Sequence, residues 1–141
     1  MMGHLANGKE VPGGWHVFRE HAAAGLWSTP TDLANLLLAI SRSWRGASSL
    51  FLLPETAREM LTPQNGGPYG LGGAIVTSNG SADPHDRGQN TGYQVYLILL
   101  PGEGQGMVVM TNSDNGSILA EALIRHAAEA YGWPKLGPLE D

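Results

Sequence analysis

The stretch "DRGQNTGYQVYLILLP", Asp86 to Pro101, decides the fold together with "MVVMTNSDNG" at Met107 to Gly116. "YQVYLILL" and "MVVMT" are short runs of aliphatic and aromatic residues, and each has the length of one strand. The glycine-rich "PGEGQG" between them turns the chain back, so the pair reads as a β-hairpin. Both strands are apolar at nearly every position. Strands of that kind are covered on both faces, so helices are expected above and below the sheet. The residues just before the hairpin are of another kind. Ser81 to Thr91 are polar and glycine-studded and read as a loop, which places Arg87, Gly88, Gln89, Asn90 and Gly92 directly before a buried strand.

Working outward toward the N-terminus, "YGLGGAIVTSNG" reads as a further strand, Tyr69 to Thr77, closed by an Asn79–Gly80 turn. "STPTDLANLLLAISRSWRG" carries a complete helix signature. Thr29 suits the N-cap, Pro30 the first turn and Asp32 the positive helix start. Leu33, Leu36, Leu37, Ile40 and Trp44 fall on one helical face, and Gly46 supplies a stop. A shorter helix opens at Pro54, with Glu55 in its first turn and Pro63 beyond its end. In "WHVFREHAAAGLW" a short strand at Trp15, Val17 and Phe18 and a buried alanine connection are expected. Met1 to Gly14 reads as a polar arm or loop. At the other end "NGSILAEALIRHAAEAYGW" is a helix whose inner stripe is expected at Leu119, Ala122, Leu123, His126 and Ala130. Gly132 and Pro134 stop it, and "TNSDNG" leads into it as N-cap. Trp15, Trp27, Trp44 and Trp133 are expected in or over the core. The whole predicts an α+β domain, an antiparallel sheet of three or more strands with flanking helices.

Bulk properties exclude several functions. At 141 residues the chain makes one domain. Its net charge of -5, with 8 Lys and Arg and no basic run, gives nucleic-acid binding no support. It has no cysteine, hence no disulfide and no thiolate chemistry. No apolar run reaches membrane-spanning length, and "MMGHLANGKEVPGG" lacks a signal-peptide pattern. His4, His16, His21, His85 and His126 are scattered without metal-ligand spacing, so neither metal nor cofactor is expected. There is no Walker A loop, no dinucleotide fingerprint and no G-x-S-x-G elbow. Neither Lys9 nor Lys135 completes an S-x-x-K, and no tyrosine begins a Y-x-N. From the residues alone the chain is catalytically incomplete.

"VPGGWHVFREHAAAGLWSTPTDLANLLLAI", "YGLGGAI", "GQNTGYQVYLILLPGEGQGMVVMTNSDNG" and "EAYGWP", in that order and spacing, resemble the C-terminal part of the serine β-lactamase and penicillin-binding-protein family. The branch that looks most similar is that of class C β-lactamase-like esterases and D-alanyl-D-alanine carboxypeptidases. The resemblance runs from about Gly3 to Pro134 and implies the C-terminal part of a β-lactamase/transpeptidase-like fold. Residues 1–141 are then one partial domain, with 1–14 as its arm and 135–141 as its tail. It implies acyl transfer through a serine ester, with the S-x-x-K serine and lysine and the Y-x-N tyrosine lying before Met1. No catalytic residue is then expected in this chain.

The family's third motif, H-x-G-x-N-x-G-aromatic (K-T-G in other branches), lies on a sheet-edge strand. It binds the acyl group and offers one N–H of the oxyanion hole. "DRGQNTGY" is similar to it. Gly88 matches the motif glycine, and Asn90, Gly92 and Tyr93 match the motif's later positions. Anchored there, Asp86 stands at the His/Lys position and Arg87 at the small middle position, while His85 is one residue too early. Either the loop slips by one residue so that His85 serves, or the motif has diverged. The resemblance thus implies His85, Asp86, Arg87, Gly88, Gln89 and Asn90 as substrate-binding candidates. Plainer readings are a bulge at Gly88 and Gly92, a turn role for Asn90 and an exposed His85. The implied partner is a small-molecule acyl substrate, met once the N-terminal half is joined. A non-catalytic binding or assembly module is the alternative. Without that half, apolar surface and a sheet edge stand open, which predicts self-association, for instance as a dimer.

Overall fold

The computed structural model describes residues 1–78 and 81–134, with the side chains of 76–78 and 81–85 outside that description. The Asn79–Gly80 turn and the tail from residue 135 therefore lie outside the described residues. Helix α1 (His21–Ala24) is followed by α2 (Pro30–Trp44) and α3 (Pro54–Met60). Four strands come next, β1 (Ala74–Ser78), β2 (Ser81–Asn90), β3 (Tyr93–Leu100) and β4 (Gln105–Thr111), and then α4 (Gly116–Tyr131). The strands form one antiparallel sheet in the order β1-β2-β3-β4, a simple meander. The architecture is the expected α+β one.

The hairpin is the core of it. Partners facing each other across a ladder share a face, so the register sorts the side chains. Tyr96 pairs with Val109 and Ile98 with Met107, and this set packs under Ala120 and Ile124 of α4, with Trp133 at its margin. On the opposite face Leu99 meets Ile40 of α2 and Leu61 after α3, with Leu37, Trp44 and Met60 around them. Ile98, Leu100 and Ile124 are fully buried. The double coverage expected from the apolar strands is present over β3 and β4.

Helix α2 forms as its sequence dictates. Thr29 Oγ1 accepts the Asp32 N–H at 3.1 Å and donates to the Asp32 carboxylate at 2.8 Å, a reciprocal cap. Leu33 and Ile40 are buried, Leu37 and Trp44 half-buried, and Leu36 is the exposed margin of the stripe. Ser41 and Ser43 are buried beside it. Ser41 donates to the Pro101 carbonyl at 3.2 Å, and Ser43 accepts the Leu52 N–H at 3.4 Å.

Four expectations are corrected. The segment Ser81–Asn90 is a strand and not a loop. It pairs on both sides, with β1 and with β3, through backbone bonds that need no apolar side chains. The strand before it begins at Ala74, and Tyr69 contributes only an isolated bridge to Ala74. Trp15, Val17 and Phe18 form no strand, the alanines form α1 with no buried residue, and Trp15 and Trp27 are exposed. The inner stripe of α4 is Gly116, Ala120 and Ile124, one position round from the expected one, so Leu119 and Leu123 stand exposed. The shift has a steric cause at Gly116. A Cβ there would collide with Thr111 Oγ1, so this small residue alone lets the helix start against β4.

Candidate functional site

Strand β2 runs without a bulge, from the pair His85–Ile98 to the pair Asn90–Tyr93. Side chains alternate along such a strand. Asp86, Gly88 and Asn90 therefore share the face carrying Leu97, Val95 and Tyr93, which is the face on which α2 packs farther along the sheet. Arg87 and Gln89 belong to the other face. The five candidates with described side chains are thus split three and two. The residue two before Gly88 on its own face is Asp86, and the side chain of His85 lies outside the described residues.

Helices α2 and α4 pack on β3 and β4, and Asp86 to Gln89 are exposed. Arg87 donates its backbone N–H to Asp86 Oδ1 at 3.0 Å, so the carboxylate folds back on the strand. At Gly88 neither reason for a glycine within the chain applies. Its φ is not left-handed, and a Cβ would meet nothing within 4 Å. Glycine inside a strand weakens it and often marks a bulge, a tight bend or a place where a ligand or another backbone approaches closely, and β2 has no bulge here. Gly92, four residues on, is the opposite case. It sits at φ +80° in the two-residue turn, and a Cβ would come within 2.5 Å of Val11 Cγ2 and 3.0 Å of Gly3 Cα.

That turn is built by residues that no sequence motif singled out. Asp114 Oδ1 accepts the Gly92 N–H at 2.6 Å, and the Asp114 carbonyl accepts from Gln94 Nε2 at 2.5 Å. "TNSDNG" is therefore more than a helix lead-in. Asn115 occupies the N-cap position without a side-chain cap bond, and donates instead to the Ala6 carbonyl at 2.8 Å. Asn112 donates to the Met2 carbonyl at 2.9 Å, and His4 bridges Ser113 in parallel. The arm expected as a loop is thus docked, and Val11 is 1% exposed beneath the turn. A polar run after an apolar strand was its only signal, and helix capping explained that run equally well.

The segment between Gly14 and Thr29 borders the Gly88 face. Asn90 Nδ2 donates to the Ala24 carbonyl at 3.1 Å. Tyr93 OH donates to the Gly14 carbonyl at 2.9 Å. Trp27 meets Tyr93 edge-on at 5.9 Å between centroids, and Trp15 meets Trp27 edge-on at 5.5 Å. The result is an exposed strand surface with a glycine at its centre and an aromatic segment along one side.

Among the described residues no serine hydroxyl is hydrogen-bonded to a histidine, lysine or tyrosine side chain. Ser41 and Ser43 are sealed in the core. Among the same residues no three His, Asp or Glu side chains gather as metal ligands, and no helix is long and apolar enough to cross a membrane. The beta-lactamase family model matches residues 2–131, nearly the whole chain, and the chain belongs to that family. No curated protein and no solved structure matches it significantly.

Proposed function

We propose that this chain forms the sheet wall of a serine acyl-transfer site of the class C β-lactamase-like esterase or D-alanyl-D-alanine carboxypeptidase type. The nucleophilic serine and its proton-transfer partners come from a segment outside Met1–Asp141. In this reading β2 is the substrate-binding strand, Gly88 is its floor, and Asp86 takes the position of the family's third-motif histidine or lysine. Asp86 disfavours a substrate carboxylate by like-charge repulsion, and the adjacent Arg87 offsets that repulsion. The acyl substrate is a β-lactam, a D-Ala-D-Ala peptide or an ester.

The observation that carries the reading is Gly88: exposed, in an unbulged strand, with open space above it and no cause among the described residues for a glycine. The test has two parts. The chain alone, incubated with a fluorophosphonate and separately with penicillin, is expected to show no mass shift. The chain joined to a family segment that carries S-x-x-K and Y-x-N is expected to hydrolyse a p-nitrophenyl ester. Gly88→Val in that protein is expected to lower kcat/KM by about 100-fold or more, as loss of a positioned backbone contact does. A stoichiometric adduct on a serine of the chain alone overturns the reading.

The second reading, a non-catalytic binding or assembly module, draws on Asp86 and Arg87 replacing the family's basic and small residues. Under it the chain stands alone and binds or assembles without turnover. In either case Ile118, Leu119 and Leu123 stand exposed on α4, and among the described residues β4 pairs on one side only along Gln105–Thr111, features that favour self-association.

A further inference from the structure

We propose that Asn90 is a positioning residue: its side-chain amide latches the Trp15–Ser28 segment onto the Gly88 face of β2 and so fixes one side of the substrate-binding surface. The functional consequence rests on the reading of β2 given above; the latch itself does not. The segment is long and has little hold of its own. Its four-residue helix α1 buries nothing, and Trp15, Val17, Leu26 and Trp27 are exposed. Carbonyls at a helix C-terminus lack intrahelical partners, and Ala24 is the last residue of α1. Asn90 supplies the missing donor from 66 residues away in sequence. It is half-buried and sits at the hairpin end that also holds Gly14 through Tyr93 OH and meets Trp27 edge-on. One strand end therefore grips the segment at its start, at α1 and at Trp27.

The amide does this by donating. An aspartate of nearly the same shape presents only acceptors to the Ala24 carbonyl, and a glutamine restores the donor on a longer arm. The full chain is the test object, as wild type, Asn90→Asp and Asn90→Gln, without any ligand. Hydrogen exchange is read at the Ala23, Ala24 and Gly25 amides, which are bonded to the Glu20 and His21 carbonyls. Near-UV circular dichroism reads the Trp27–Tyr93 contact. Asn90→Asp is expected to speed exchange at these amides roughly five- to ten-fold, the loss of one hydrogen bond, and to weaken the aromatic signal. Asn90→Gln is expected to recover most of both, with β3 and β4 amides unchanged in each variant. Unchanged α1 exchange in Asn90→Asp overturns the latch. So does loosening spread equally over β3 and β4, which would make Asn90 a brace of the sheet. Failure of the Gly88→Val activity test leaves these readouts standing, so the two inferences fail separately.

Discussion

Gly88→Ala and Gly92→Ala make the same chemical change four residues apart, and the structure assigns them opposite signs. At Gly92 the added Cβ meets Val11 Cγ2 at 2.5 Å, Gly3 Cα at 3.0 Å and the His4 nitrogen at 3.0 Å, with φ at +80°. A left-handed conformation costs an L-residue roughly 1–2 kcal/mol. Overpacking a filled site costs about 1–3 kcal/mol more. Gly92→Ala should therefore lose about 2–5 kcal/mol, a large share of the ~5–15 kcal/mol that holds a domain together. Two of the three contacts are backbone atoms of the docked arm, so the strain has no flexible side chain to relax into. At Gly88 the Cβ meets nothing and φ is ordinary. There alanine removes unfolded-state entropy and should gain about 0.4–1 kcal/mol. Urea unfolding separates them. With a slope of about 2 kcal/mol per molar, Gly92→Ala lowers the midpoint by ~1–2.5 M and Gly88→Ala raises it by a few tenths. Equal destabilisation by the two, or a neutral Gly92→Ala, would refute the reasoning. A stabilised Gly88→Ala would also separate the glycine's cost in folding from its use in binding.

Asp114→Ala removes the acceptor of the Gly92 N–H and should cost about 1–3 kcal/mol in thermal unfolding, with Asp114→Asn recovering part because its amide oxygen still accepts. Ile124→Ala empties a position that is 1% exposed and should cost about 2–5 kcal/mol, while Leu123→Ala, 42% exposed, should cost under about 1 kcal/mol; the reverse order would restore the stripe the sequence suggested. Sedimentation of the chain should show a species larger than a monomer, and Leu119→Lys with Leu123→Lys should shift it to a monomer with its circular dichroism unchanged.

Where the signal was local, the sequence sufficed. Thr29, Pro30 and Asp32 set the start of α2 because capping involves only neighbouring residues. The apolar runs at Tyr93–Leu100 and Met107–Thr111 could satisfy their burial only as a doubly covered hairpin. The resemblance to the serine β-lactamase family likewise rested on residues in order along the chain, and the family model matches residues 2–131. The tertiary structure decided whatever depended on partners distant in sequence. Strand β2 is polar because helices cover β3 and β4, and its conformation comes from two neighbouring backbones and not from its own side chains. Gly88 and Gly92 look alike in the sequence, and only Val11 and Gly3, some 80 positions away, tell a required glycine from an open one. Alternation in an unbulged strand places Asp86 with Gly88 and Arg87 on the other face, because a one-residue step reverses the face. The contact of Asn90 with Ala24 spans 66 residues, and no local pattern announces a hydrogen bond that only the folded chain brings within reach.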